Sequence, residues 1–241
     1  MLPLHDINPR RRTPFITFSL IALNVVVFLW MVMMATEEVE SLFVNLSVVP
    51  ANITADPFAL ESLLDILRSM FFHGGWLHLL GNMLYLYLFG DNVEDRMGVF
   101  LYLFVYFGSG IAAVAAQILI DPDSTIPLVG ASGAIGGILG AYLLLFPGVR
   151  VRGIIPLGFF SQLAEWPAWA VLGLWFLLQL LNGAFSLAGG EAATGGVAFF
   201  AHIGGFVFGL VITWLFTLMY RQPPPQERRD ALYQRANRYR F

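Results

Sequence analysis

The sequence predicts an all-α membrane protein, a six-transmembrane-helix bundle with a short central fourth helix. Three observations carry that expectation. Hydrophobic residues make up 58% of the chain and charged ones 12%, too little polar surface to cover a water-soluble globule of 241 residues. The charges leave six charge-free intervals of at least 22 residues, 13–36, 69–90, 97–120, 124–149, 166–190 and 192–220, and a helix of about 20 residues spans a hydrocarbon core of about 30 Å. In the fourth interval Pro127 and Gly130 discourage helix ahead of Ser132, so the helix from Ser132 to Phe146 would be only ~22 Å long.

The first span follows Arg10, Arg11 and Arg12. A cleaved signal peptide is the competing interpretation of that start, but residues 14–35 are longer than a typical apolar core and Met33 does not suit a cleavage site. With the N-terminus placed in the cytoplasm, 12 of the 13 arginines fall in cytoplasmic segments and only Arg68 falls outside. That bias orients both termini inward. Residues 1–13 then form a cytoplasmic N-terminal arm, 14–220 the six-span domain and 221–241 a basic cytoplasmic tail. The outer loop at 36–73 alternates apolar patches with acids, which suits short helices lying at the membrane surface. Gly148 to Glu165, punctuated by glycine and proline, is expected to be a cytoplasmic connector. The chain has no cysteine, so thiol nucleophiles, thiolate metal sites and disulfides are excluded.

Within the spans the few polar residues are the informative ones, because an unpartnered polar group in hydrocarbon is costly. The second span opens with His73-Gly74-Gly75-Trp76-Leu77-His78-Leu79-Leu80-Gly81-Asn82, which puts His78 and Asn82 on one helix face. The fourth carries Gly130-Ala131-Ser132-Gly133 and the sixth Ala201-His202, each near its outer end. The segment Thr125–Ala131 would re-enter the membrane to deliver Ser132 to a helix N-terminus. Such backbone is tolerated at depth only when protein covers it or it lines a water cavity. Gly133, Gly136, Gly137 and Gly140 form one small-residue stripe, and His202, Gly205 and Gly209 another. Stripes of this kind let helix backbones approach closely in lipid, and facing one another they would bring Ser132 to His202. A serine becomes nucleophilic when an imidazole takes its proton. No acid lies in any span, so the expectation is a Ser132–His202 dyad, with the Ser132 backbone N–H, His78 and Asn82 holding the oxyanion. Asn24, Gln117, Gln179 and Asn182 are expected to bond between helices or to sit at interfaces, and His73 to be structural.

These residues resemble the rhomboid intramembrane serine proteases. The nucleophile motif is Gly130-Ala131-Ser132-Gly133; the histidine lies on a Gly-x-x-x-Gly helix with Gly205 and Gly209; His78 and Asn82 form the H-x-x-x-N pair; and Gly90, Glu94 and Gly98 form G-x-x-x-E-x-x-x-G. The resemblance implies a six-span rhomboid bundle in a bacterial or archaeal cell membrane. It also implies cleavage of single-pass transmembrane protein substrates near their outer boundary, with a small residue before the scissile bond. Substrate would approach beside the fifth span, Trp166 to Phe185, under a cap beginning at Leu187 and running through Glu191. Membrane lipids are the surroundings, with no nucleic acid, metal or cofactor expected. Two departures from the family stand out. Leu64 and Asp65 stand where a Trp-Arg pair is common, and Gly136 stands where a bulky residue often contacts the catalytic histidine, so His202 must be held by something else or less firmly.

Other function classes fit less well. A metalloprotease would need H-E-x-x-H, whereas His73 and His78 are five apart with no Glu between, and an aspartyl protease would need paired acids within spans. A channel or transporter is disfavoured because no span carries a charge. The alternative from another class is a catalytically inactive rhomboid-like protein that binds transmembrane helices.

Overall fold

The computed structural model describes residues 2–157, 160–190 and 198–220. The expected basic tail, 221–241, and Glu191 of the expected cap lie outside the described residues. In chain order the elements are β1 (Leu2–Asp6), α1 (Phe15–Val32), α2 (Thr36–Leu46), α3 (Pro50–Ala55), α4 (Leu60–Ser69), α5 (Trp76–Met97), α6 (Val99–Ile120), α7 (Ser132–Leu145), β2 (Arg150–Leu157), β3 (Phe160–Pro167), α8 (Ala168–Phe185, continued by a π-helical turn to Gly190) and α9 (Phe199–Met219).

Among the described residues α1, α6, α8 and α9 are long and apolar enough to cross a membrane. Helix α5 begins in an apolar stretch but continues through Asp91, Glu94, Asp95 and Arg96 to Met97, so the helix runs past the point where its charge-free interval ends. Helix α7 has 14 residues, and every residue from Gly133 to Tyr142 is buried. It is the axis of the helical bundle, and α6 and α9 pack on it at backbone distance. A Cβ on Gly205 would collide with the Gly133 carbonyl, one on Gly209 with the Gly137 carbonyl, and one on Gly137 with the Ser109 side chain. The two glycine stripes therefore face each other. Without side chains between them, dispersion contacts along the two backbones replace the hydrophobic drive that lipid does not supply.

Helices α2, α3 and α4, between α1 and α5, brace the segment that leads into α7. The Leu128 N–H donates to the Val48 carbonyl at 2.7 Å, and the Gly130 N–H to the Ser69 carbonyl at 2.8 Å. Residues 125–131 are non-helical as expected; Thr125 and Ile126 are exposed, Pro127 to Gly130 half-buried and Ala131 buried. On α4, Arg68 pairs with Glu61 at 3.1 Å and Asp65 at 3.0 Å, so the loop without the Trp-Arg pair is stapled within its own helix.

At the opposite end Glu94 accepts the N–H groups of Ile16 and Thr17, at 3.0 and 2.8 Å, and the Thr17 hydroxyl at 2.7 Å. It thereby satisfies two of the unpaired donors at the start of α1. Gly98, at φ +76, separates α5 from α6 in a conformation that glycine adopts without strain. A Cβ on Gly90 would come within 2.9 Å of the Tyr102 hydroxyl and 3.0 Å of Thr17, so the three residues of the Gly90–Glu94–Gly98 motif join α1, α5 and α6.

The all-α expectation needs one addition. The N-terminal arm and the connector form a three-stranded antiparallel sheet in the order β1-β2-β3. Local pattern did not announce it because Gly153 and Pro156 interrupt β2 and because β1 pairs with residues about 150 positions away, Leu2 opposite Ile154. Pro156 lies beyond the reach of β1, so its missing N–H leaves no gap in that ladder. Arg152 stands opposite Glu165 and donates to it through Nε at 2.9 Å. The sheet is tied to the axial helix: the Tyr142 hydroxyl donates to Asp6 at 2.6 Å, and the Asn92 side-chain amide to the same carboxyl oxygen at 3.3 Å.

Burial pushes the Asp6 carboxyl up from 3.8 to about 7; the Tyr142 hydrogen bond opposes the shift and neighbouring Asp91 adds to it. The folded state thus binds this proton more tightly than the unfolded chain. The stabilisation it gives is complete below about pH 4, declines as pH rises toward 7 and is gone above. Thermal unfolding of the detergent-solubilised protein between pH 4.5 and 8 should show the wild type losing stability relative to Asp6→Asn, by up to about 1.4 kcal/mol per pH unit inside that window. Parallel pH profiles for the two proteins would contradict the assignment.

Candidate functional site

Helices α5, α7 and α9 gather their N-terminal ends at one place, the end remote from the sheet. Ser132 is the first residue of α7, His202 lies in the first turn of α9, and His78 and Asn82 lie in the first two turns of α5. Four side chains from three helices therefore meet because the helices are parallel and their starts are level. The Gly–Gly contacts between α7 and α9 set the spacing.

The Ser132 Oγ lies 2.8 Å from His202 Nε2. As the first residue of a helix, Ser132 has a backbone N–H with no acceptor inside the helix, and the helix dipole adds partial positive charge there. Gly130 makes the approach to it. Its φ of +122 is one that L side chains rarely adopt, and a Cβ would come within 2.6 Å of His78 Nε2. Only glycine fits both conditions.

On the α5 side Asn82 is buried, and its side-chain nitrogen has no hydrogen-bond partner among the described residues. The Gly74 N–H points at His78 Nδ1 at 3.4 Å, a weak contact that makes Nδ1 the acceptor. The neutral ring then carries its proton on Nε2, the nitrogen that faces Gly130. His73, buried at the loop–helix junction, sets its ring edge-on to His78 with centroids 5.1 Å apart. These groups border a cavity of about 580 Å³ lined by His78, Asn82, Tyr85, Ser132, Trp175 and His202 among others. His78 Nε2 and the Asn82 side-chain nitrogen lie 2.6 and 3.6 Å from where a Cβ on Gly130 would stand, two residues before Ser132.

One contact was not legible in the sequence. The side-chain carbonyl oxygen of Gln179, on α8, lies 2.9 Å from His202 Nδ1. Gln179 stands in the sequence as one of four interhelical hydrogen-bonders with nothing to single it out. The available signal was its spacing from Trp175, four residues earlier, whose ring centroid lies 6.0 Å from that of His202. Gln117 also reaches α9, accepting the Ala201 N–H at 3.3 Å.

Residues 60–218 match the Rhomboid domain, which is well over half of the chain. The chain belongs to the rhomboid family. Among similar proteins, Rhomboid protease AarA of Providencia stuartii is 29% identical over 220 residues, 85% of this chain and 73% of that protein. Rhomboid protein 1, mitochondrial, of Saccharomyces cerevisiae is 27% identical over 182 residues, 74% of this chain and 47% of that one. Rhomboid-like protein 11, chloroplastic, of Arabidopsis thaliana is 28% identical over 159 residues, 64% and 52%. The chain spans about half the length of the mitochondrial and chloroplastic relatives. Family membership together with the four apolar helices makes this rhomboid a multi-pass integral membrane protein.

The approach through Gly130 yields a direct test. Gly130→Ala should lower stability by roughly 1–3 kcal/mol from backbone strain alone, read as a fall in melting temperature in detergent. A variant as stable as the wild type would show that the loop accommodates a Cβ and that the close approach to His78 is not required.

Proposed function

We propose that this rhomboid is an intramembrane serine endopeptidase that cleaves transmembrane segments of single-pass membrane proteins near the outer face of the membrane, through a Ser132–His202 dyad and an oxyanion hole. The observation that carries the proposal is the 2.8 Å contact of Ser132 Oγ with His202 Nε2 at the edge of a cavity that also holds two further hydrogen-bond donors. Orientation follows from charge. Arg10, Arg11, Arg12, Arg96, Arg150 and Arg152 all belong to the end that carries the sheet, so the lysine/arginine rule places that end and both termini in the cytoplasm and the cavity toward the outside. The six-span count rests on α5 and α7 crossing as well, α7 aided by its re-entrant approach.

Chemistry at this site proceeds by acyl transfer. As Ser132 Oγ attacks the scissile carbonyl carbon, its proton passes to His202 Nε2. Negative charge develops on the carbonyl oxygen, where the Ser132 N–H, His78 Nε2–H and Asn82 Nδ2–H can donate to it. Collapse breaks the C–N bond while the imidazolium returns the proton to the leaving amine, leaving an ester on Ser132. A water then attacks that ester, giving its proton to His202 Nε2; the second collapse releases a carboxylic acid and restores the Ser132 hydroxyl. No acid is needed, since the only formal charges that form are the oxyanion and the imidazolium, adjacent to each other.

Co-expression with tagged single-pass substrates tests this directly. Wild type should release fragments cut near the outer boundary, and Ser132→Ala or His202→Ala should reduce cleavage to background. Asn82→Ala should lower turnover by about a hundredfold, as expected for the loss of one of several donors. Cleavage that survives Ser132→Ala removes the mechanism. Failure of the wild type both to cut any substrate and to be labelled by a fluorophosphonate points instead to a rhomboid-like protein that binds transmembrane helices without cleaving them.

A further inference from the structure

We propose that Gln179 is a positioning residue for His202, the neutral third member of a Ser132–His202–Gln179 relay, and that it fixes the imidazole in the tautomer a general base requires. This rests on the assignment of Ser132 as nucleophile and His202 as base. An amide oxygen has no hydrogen to give, so the 2.9 Å contact between Gln179 Oε1 and His202 Nδ1 requires the proton to be on Nδ1. The remaining nitrogen, Nε2, then presents a lone pair, and it is the nitrogen 2.8 Å from Ser132 Oγ. With the opposite tautomer, Nε2–H would face the serine as a donor and could not take its proton.

The rest of the surroundings leaves this task to α8. Four residues after Ser132, Gly136 offers no side chain to hold the ring, and the space for one is tight. A Cβ would lie 3.1 Å from the His202 carbonyl and 3.4 Å from the Phe206 N, where the backbones of α7 and α9 touch. On the other side stand Trp175 and Gln179, at i and i+4 on one face of α8. The indole lies beside the imidazole, with ring planes tilted by 36°, and the amide bonds to its Nδ1. Gln179 is itself buried, at 9% exposure. An amide suits this position because a carboxylate in a membrane span carries a large desolvation cost, whereas an amide dipole holds the tautomer without bringing a charge.

The test uses the full chain in lipid vesicles with a tagged single-pass substrate, together with histidine labelled with nitrogen-15. Imidazole nitrogen shifts report which ring nitrogen bears the proton, and the His202 signals are assigned by their loss in His202→Ala. Wild type should show Nδ1 protonated. Gln179→Leu, which keeps bulk but removes the acceptor, should give a mixture of tautomers. It should also lower kcat by roughly 10- to 100-fold with KM little changed, a smaller loss than the ~10²–10⁴-fold associated with a general base itself. Wild-type His202 protonated on Nε2 overturns the proposal, and this needs no variant to fold. Unchanged kcat and unchanged nitrogen shifts in Gln179→Leu also overturn it, while Ser132-dependent cleavage by the wild type would leave the protease assignment standing. Cleavage that persists in Ser132→Ala removes the protease assignment, and with it the role proposed for Gln179, even where the Gln179–His202 bond is present.

Discussion

The absence of side chains between α7 and α9 is the constraint on which the rest of the structure depends. The Gly133 and Gly137 carbonyls on one helix lie against Gly205 and Gly209 on the other. Because these contacts involve backbone atoms, they fix axial register as well as distance: sliding one helix by a residue would set a Cβ against a carbonyl. Ser132 sits immediately before the first of these glycines and His202 three residues before its counterpart. Their 2.8 Å separation is a consequence of that register. Helix α6 closes the third side with Ala113 against Gly133 and Ser109 against Gly137, so the short axial helix is held on two faces along the turns that follow Ser132.

A helix so placed connects two chemically different ends. Its N-terminus is reached by non-helical backbone whose Leu128 and Gly130 N–H groups donate to the Val48 and Ser69 carbonyls of the α1–α5 connection. Its C-terminal turn carries Tyr142, which is fully buried and bonded to Asp6 of the sheet. Hydrocarbon could not accept unpaired backbone or an unpaired phenol at either place. The α1–α5 connection and the sheet are thus the means by which a helix too short to cross alone is finished at both ends. Glu94 does the same for α1, taking two donors that would otherwise be unpaired at its start.

What could be read from sequence follows from how local each constraint is. Glycines at helical spacing in a charge-free stretch have one main physical use, close packing, so the facing stripes were legible from residues 133–140 and 202–209. Pro127 and Gly130 likewise mark where helix cannot form, and the start of α7 at Ser132 followed. The sheet was not legible, because β1 finds its partner across nearly the whole bundle and its residues carry no alternation strong enough to announce a strand. Charge boundaries gave only an approximate end for α5, since four ionisable residues continue the helix once it leaves the apolar region. The missing bulky residue at Gly136 left His202 either with another support or held less firmly. Which residue supplies it depended on the rotation of α8, and an isolated glutamine in an apolar helix does not reveal that.

Neutrality links these features. An ion pair inside the bundle would have to recover the desolvation of both partners from one short contact, and no ion pair is found between the spanning helices among the described residues. Polar groups near the cavity are instead imidazole, amide, hydroxyl and backbone N–H, all uncharged at rest. In the proposed mechanism charge appears only when the reaction makes it, as oxyanion and imidazolium close together, with donors on one side and the Gln179 side-chain carbonyl on the other. Prearranged dipoles of this kind stabilise developing charge without stabilising the resting state equally. A membrane interior that penalises permanent charge is therefore compatible with acyl-transfer chemistry, provided that every polar group is fixed in place beforehand. The backbone contact between α7 and α9 fixes the serine and histidine, and α5 and α8 supply the dipoles around them.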